Sequence, residues 1–273
     1  MFSNQAFKFL SVCFAVFLLT GCSEYQKVLK EPDIAAKYTM ADSLYQAGKY
    51  SKSLQLFEQV VPAYRGKPQA ERVMFFYADN IYKMRDYYTA SYQFDRFISA
   101  YPDSEKVEEA AFKSAASFYE LSPISSRDQT ETNKALDKLQ LFIGQYPESG
   151  FQEEAETMIT ELSQKIQKKD FDIAKQYNTI GDAMSTYPSA IAAFDDFISD
   201  YPGSPYREGA MYYKLDSQYK LAVGSLAFLV EERLRKALEY YNTLIRYYPE
   251  GEYRGQADEL KADIASRLEN MTT

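Results

Sequence analysis

The stretch FDDFISDYPGSPYREGA, residues 194–210, occurs in three further versions with its spacing intact. FDRFISAYPDSEKVEEA begins at Phe94, LQLFIGQYPESGFQEEA at Leu139 and YNTLIRYYPEGEYRGQA at Tyr241. In each version an amphipathic helix end runs into Tyr-Pro, and a polar segment ending in Ala follows. Proline lacks a backbone donor and clashes with the preceding turn, so it stops one helix, while its fixed φ suits the entry to the next. Aligning outward from these corners gives the anchors Phe57, Phe94, Leu139, Phe194 and Tyr241. Four residues before each stands a small residue (Ser53, Ala90, Ala135, Ala190, Ala237), and three after stands a large one (Val60, Phe97, Phe142, Phe197, Leu244). Eight after stands Pro102, Pro147, Pro202 or Pro249, with Arg65 as the exception. Small residues let two helices approach closely and large ones fill the remaining space. One hairpin cannot bury its apolar stripe alone, so the copies must stack.

This small, large, large, proline spacing resembles the tetratricopeptide (TPR) repeat, and Gly48-Lys49-Tyr50 supplies the matching turn between helices of the first pair. The expectation is an all-α chain: a TPR-like α-solenoid of about five helix pairs plus a C-terminal capping helix over about 253–269. Successive anchors lie 37, 45, 55 and 47 residues apart, against a TPR period of about 34. The surplus falls in an insertion at 121–132, a long first helix over about 151–183 in two pieces, and extra residues around LAVGSLAFLVEER, 221–233. Two blocks are expected, an N-terminal one over 34–148 with repeats one to three and a C-terminal one over 149–273.

Composition removes most chemistry. The 273 residues include 25 Tyr and 18 Phe but no His, no Trp and two Cys. Without imidazole there is no Ser-His or Cys-His nucleophile and no zinc site of the common kind. The sequence carries no dinucleotide fingerprint, P-loop or EF-hand pattern. No enzyme activity, metal or cofactor is expected; carboxylates converging in a cleft would be the exception, with Asp42 and Asp79 the closest pair to that description. The net charge of −8 repels phosphate polymers, so nucleic acid is not an expected partner.

The N-terminus reads as an export signal. Lys8 precedes an apolar run from Phe9 to Leu19, too short to span a bilayer with stop-transfer flanks. It ends in Leu19-Thr20-Gly21-Cys22, which matches a bacterial lipobox. Residues 1–21 are therefore a lipoprotein signal peptide, Cys22 the lipidation site, and 22–33 a tether leading to a helix start at Glu31-Pro32-Asp33. Ser23 follows the cysteine where an aspartate is the inner-membrane retention signal, which by analogy favours the outer membrane.

The first helices carry a second pattern. Tyr38, Asp42 and Tyr45 match Phe75, Asp79 and Tyr82, and again Tyr212, Asp216 and Tyr219, at i, i+4, i+7 on one helix face. Such aromatics either pack between helices or receive a ligand. The aspartates face solvent or a groove, or pair with a neighbouring Lys or Arg, because an unpaired buried carboxylate is costly. Tyr38, Asp42, Tyr45, Phe75, Asp79 and Tyr82 are the candidates for a groove that binds an extended, aromatic-bearing polypeptide.

A lipobox followed by five TPR-like pairs with Tyr-Pro-x-Ser corners resembles the BamD family of β-barrel assembly lipoproteins. SRDQT (126–130) and LSQKIQKKDFDIAKQY (162–177) are similar to that family's loop and to its lead into the fourth repeat. The resemblance implies a non-enzymatic scaffold, lipid-anchored in the outer membrane and facing the periplasm. It implies docking through C-terminal repeats onto a POTRA domain of the barrel-forming subunit, BamA, and recognition of C-terminal segments of unfolded outer-membrane proteins through N-terminal repeats. Arg207, Tyr212, Asp216, Tyr219, Arg233 and Arg246 are the docking candidates, with Arg235 and Lys236 beside them; a solvated helix face, as in the pair Glu231–Arg235, is the other reading of the basic residues. Two other readings are a Tol-Pal type coordinator, which carries a coiled coil that this chain lacks ahead of Ala35, and a glycan-binding surface lipoprotein, which uses Trp platforms.

Overall fold

In the computed structural model, which describes residues 24–272, the regular structure among the described residues is helical throughout. A first helical segment, α1 (24–30), precedes α2 (Ile34–Gln46), α3 (Tyr50–Tyr64), α4 (Ala70–Lys83), α5 (Tyr87–Ala100), α6 (Val107–Leu121) and α7 (Thr130–Gln145). Then come α8 (Gln152–Thr179), α9 (Gly181–Met184), α10 (Tyr187–Asp200), α11 (Arg207–Val223), α12 (Ala227–Tyr247) and α13 (Arg254–Thr272). Consecutive helices from α2 to α7 pack as antiparallel neighbours, as do α10 to α13, giving TPR-like pairs. The chain divides into two units. One runs to Ser122 and includes Thr130–Ile159; the other is Pro123–Gln129 with Thr160 onward.

Helix starts follow from local chemistry. The Asp33 carboxylate accepts from Ala35 N at 2.9 Å and Ala36 N at 3.1 Å, satisfying two of the amides a helix leaves open. Asp86 caps α5 through Thr89 N at 3.3 Å. Between α2 and α3, Gly48 adopts φ +69°, a left-handed turn that a side chain disfavours. Within the stretch expected as a tether, residues 24–30 are helical, and Tyr25 is 5% exposed with its hydroxyl donating to Gln55 Oε1 of α3 at 2.6 Å.

The aligned positions form the core. All five small residues are fully buried, as are Phe57, Phe94, Leu139 and Phe194, and each of the larger followers from Val60 to Leu244 is at most 2% exposed. In the first unit Phe75 closes on Phe94 and Phe97, with ring centroids 6.0 and 5.5 Å apart. In the second, Phe171 plays that part against Phe194 and Phe197 at 6.2 and 5.9 Å. Truncating one such ring leaves a cavity worth about 3–5 kcal/mol.

The recurring corner now has a mechanism. At three of the four corners a serine side chain caps the next helix entry: Ser104 Oγ accepts from Lys106 N, Ser149 Oγ from Phe151 N, and Ser204 Oγ from Tyr206 N, at 3.0–3.2 Å. Ser104 donates in turn to Glu71 and Ser149 to Glu108, each glutamate second in the first helix of the preceding pair. The last corner has Gly251 in the serine position. There Glu208, second in α11, reaches in and accepts directly from Tyr253 N at 2.9 Å. A Cβ on Gly251 would collide with that carboxylate. Gly251→Val is therefore expected to lower stability by about 1–3 kcal/mol, while Gly251→Ser, which rebuilds the other corners, costs less than about 1 kcal/mol. Urea unfolding of the two variants checks this, and equal losses would refute the corner mechanism.

Candidate functional site

The first helices of the N-terminal unit, α2, α4 and α6, carry a polar ladder. Tyr45 of α2 donates its hydroxyl to Asp79 Oδ2 of α4. The other Asp79 oxygen accepts from Lys113 Nζ of α6 at 2.5 Å, and Lys113 also pairs with Glu109 at 2.7 Å. Tyr45, Asp79 and Lys113 follow one another at intervals of 34 residues, so each rung joins one repeat to the next. Burial works against charge on Lys113, but its bonds to Asp79 and Glu109 outweigh this and raise its pKa. Burial likewise pushes Glu109 up, yet hydrogen bonds from Lys106 and Lys113 leave it below its ordinary value of 4.5. Burial, then the Asp79 hydrogen bond, drives the Tyr45 phenol up, so it stays a proton donor at neutral pH.

The six groove candidates therefore occupy different places. Phe75 and Asp79 are interior, 3% and 0% exposed, and present no surface to a ligand. The physical reason is that Asp79 takes the pairing alternative, with a lysine one repeat away, while Phe75 faces its own hairpin partner. Tyr38, Asp42, Tyr45 and Tyr82 remain half-exposed. Asp42 meets Arg72 at 3.3 Å, and that guanidinium lies over the Phe76 ring at 5.1 Å. Tyr38 leans on Tyr64, centroids 5.5 Å apart. Tyr82 sits edge-on to Tyr87 at 5.4 Å, its phenol raised to about 12 by burial and then by Glu120. Around Arg65, the corner without proline, an open cleft of about 550 Å³ lies between Met74, Tyr92, Arg96 and Tyr101.

In the C-terminal unit Tyr212 stacks on Tyr253 at 4.8 Å, and burial, followed by Asp216, raises its phenol to about 12. Asp216 is buried, accepting from Asn178 Nδ2 at 2.8 Å and pairing with Lys220 at 2.7 Å. The Tyr219 hydroxyl donates to Asp263 of α13 at 2.5 Å, a carboxylate that Arg267 also binds. Tyr212 and Tyr219 therefore fasten the last helix and its entry, while Asp216 bonds to α8 and within α11. The basic candidates are engaged as well: Arg207 lies over the Tyr247 ring at 4.6 Å, Arg246 over the same ring at 5.6 Å, and Arg233 donates to Ser225 Oγ. Cys22 and the expected signal peptide lie outside the described residues.

Sequence reasoning missed Lys113, Glu109 and Asn178. The one signal for Lys113 was its 34-residue offset from Asp79, the repeat period itself. Chemically these surfaces offer neutral phenols and paired carboxylates, a recognition set. Among the described residues no cluster of three His, Cys, Asp or Glu is placed to hold a metal ion.

Removing Asp79 takes one of two carboxylate partners from a largely buried lysine and leaves Glu109, so Asp79→Ala is expected to lose about 1.5–3 kcal/mol, and Asp42→Ala, on an exposed pair, less than about 1 kcal/mol. Glu109 has a depressed pKa, so its share of stability is present above its ordinary value near 4.5 and disappears as pH falls below it. Urea midpoints at pH 7 and in mild acid check both expectations.

Comparison with known proteins gives a family. The family model of the YfiO outer membrane lipoproteins matches residues 31–184 and 183–271. No curated protein matches the chain. Two solved structures align over most of their length. The TPR2AB domain of yeast Sti1, in its complex with pHSP90, is 12% identical with TM-score 0.39, covering 85% of this chain and 98% of that one. A putative kinesin light chain with nearly identical TPR-like repeats from Podosopora anserina is 12% identical with TM-score 0.33, covering 79% and 94%. No helix among the described residues is long and apolar enough to cross a membrane. All-helical, built of TPR-like pairs and matched by the family model over nearly all its described length, the chain belongs to the YfiO (BamD) family of outer membrane lipoproteins.

Proposed function

We propose that this protein is a non-enzymatic scaffold of the β-barrel assembly machinery, held on the periplasmic face of the outer membrane by lipid at Cys22. Its N-terminal block takes hold of C-terminal segments of unfolded outer-membrane proteins, and its C-terminal block docks on a POTRA domain of the BamA-type barrel subunit. The observation that supports this reading most directly is the family match across 31–184 and 183–271. The faces of α2 and α4 add to it. Tyr38, Tyr45 and Tyr82 stay half-exposed beside the Asp42–Arg72 pair, an aromatic and polar surface suited to an extended chain. The Asp79–Lys113 pair beneath them, to which the Tyr45 hydroxyl also bonds, is the frame that holds these helices in register.

Pull-down of the full lipidated chain from detergent-solubilised outer membranes, read by mass spectrometry, is expected to recover the barrel-forming subunit. Recovery of Pal-type proteins or polysaccharide-uptake receptors in its place would redirect the assignment. Photoreactive residues at positions 38 and 42 are expected to label an unfolded barrel substrate. Labelling confined to positions 92 and 141, on the second helices α5 and α7, would refute the groove.

A further inference from the structure

The packing of α1 fixes which edge of the N-terminal unit lies nearest Cys22. Tyr25 is buried against the start of α3, with Lys52 Nζ 5.2 Å from its ring centre. Cys22 stands three residues before Tyr25, and three extended links span at most about 11 Å. A lipid on Cys22 therefore enters its leaflet beside the turn between α2 and α3.

That edge is basic. The α2–α3 turn carries Lys49 and the start of α3 Lys52, while the neighbouring α4–α5 turn is flanked by Lys83 and carries Arg85. All four side chains are exposed, and none forms an ion pair among the described residues. In the same unit Arg72, Lys106, Lys113 and Lys138 each meet a carboxylate. The carboxylates at the edge are Glu24 at the start of α1, Asp86, which caps Thr89 N at 3.3 Å, and Glu120, which the Tyr87 phenol binds. The cations outnumber them, in a chain whose net charge is −8. A recess of about 460 Å³ joins the two turns, lined by Gly48, Lys49, Tyr50, Ser51, Lys52 and Met84, and it has no carboxylate in its wall. Met84 is 44% exposed between Lys83 and Arg85.

Arg85 shows that a cation here is held against the local backbone preference. It occupies the place in the second turn that Gly48 has in the first, and both are left-handed, with φ +63° and +69°. Glycine adopts that conformation freely, whereas an arginine is strained by it. Strain of this kind persists where the side chain has a use.

Arg65, Lys67 and Arg96 have no ion pair among the described residues either. They lie toward the opposite ends of α3 and α5, with Arg65 about 20 Å from Lys52 along the helix. The anchor therefore selects between two basic edges, and it selects the one around Met84. Unpaired cations around an exposed apolar side chain suit an anionic bilayer surface, where phosphates meet the charges.

We propose that Lys49, Lys52, Lys83 and Arg85, with Met84 among them, form an edge that rests on anionic phospholipid headgroups of the leaflet holding the Cys22 acyl chains. This rests on the lipidation proposed above and assigns the edge to lipid instead of to a protein partner. Each cation close to an anionic surface strengthens attachment by about fivefold, and the effect fades within a screening length of about 8–10 Å.

The lipidated full chain, reconstituted into phosphatidylethanolamine vesicles with a minority of phosphatidylglycerol and a trace of headgroup-nitroxide lipid, tests the assignment. Because the chain has no Trp, M84W and K67W each report one edge through emission quenching. M84W is expected to be quenched about threefold or more beyond K67W. That excess should vanish when phosphatidylcholine replaces phosphatidylglycerol, and again when K49E/K83E/R85E is combined with M84W. These side chains are exposed, so unchanged thermal melts certify the fold. Arg85→Gly combined with M84W should reduce the excess while melting no lower than M84W alone; an unchanged excess removes Arg85 from the edge. Equal quenching of M84W and K67W, or an excess indifferent to either the anionic lipid or the charge reversal, overturns the headgroup edge and leaves the anchor standing. Failure of the parent chain to float with the vesicles overturns the Cys22 anchor and the edge with it.

Discussion

A single helix hairpin of this chain has an apolar stripe that its own two helices cannot cover, and the rest of the structure follows from that shortage. Ala90 brings α5 against its partner, Phe94 and Phe97 fill the gap, and Phe75 completes the cluster from α4. What remains apolar must be covered by the next pair. The corner is therefore the element that repeats most faithfully, since it fixes the direction in which the next pair arrives. Its serine caps one helix and touches a glutamate at the start of another, so a short side chain coordinates three segments at once.

The fold was legible in the sequence because packing at a fixed spacing leaves a fixed pattern. Ser53, Ala90, Ala135, Ala190 and Ala237 were identifiable as close-contact positions from spacing alone, and all are fully buried. The first-helix trios were less legible, for a geometric reason. Positions i, i+4 and i+7 share one helix face, but a face is broad, and which residue on it turns inward depends on the neighbouring helix. Phe75 turns in and Tyr38 does not, although they hold the same place in the pattern. Asp79 is paired by a lysine from another repeat, and no local window contains both residues. Tyr25 was unreadable for a similar cause: its burial depends on Gln55 and Lys52, far along the chain.

Two kinds of surface result, and they differ in how their polar groups are spent. The faces of α2, α4 and α6 are crossed by ion pairs and phenol–carboxylate bonds that fix the spacing of repeats. The α11–α12 turn satisfies its polar groups inwardly and leaves carbon facing out. Substitutions of its exposed carbon therefore cost the fold little, unlike those in the polar crossings.

The helical segment at 24–30 bears on how the protein is moored. Its burial at Tyr25 makes it part of the first helix pair rather than a free leash. Two peptide links separate Cys22 from residue 24, a reach of at most about 7 Å. Under the proposed acylation of Cys22, that reach would leave almost no slack between the lipid and the first helix pair. Under the same proposal, lengthening that link would shift where the first helices stand without altering any of their side chains.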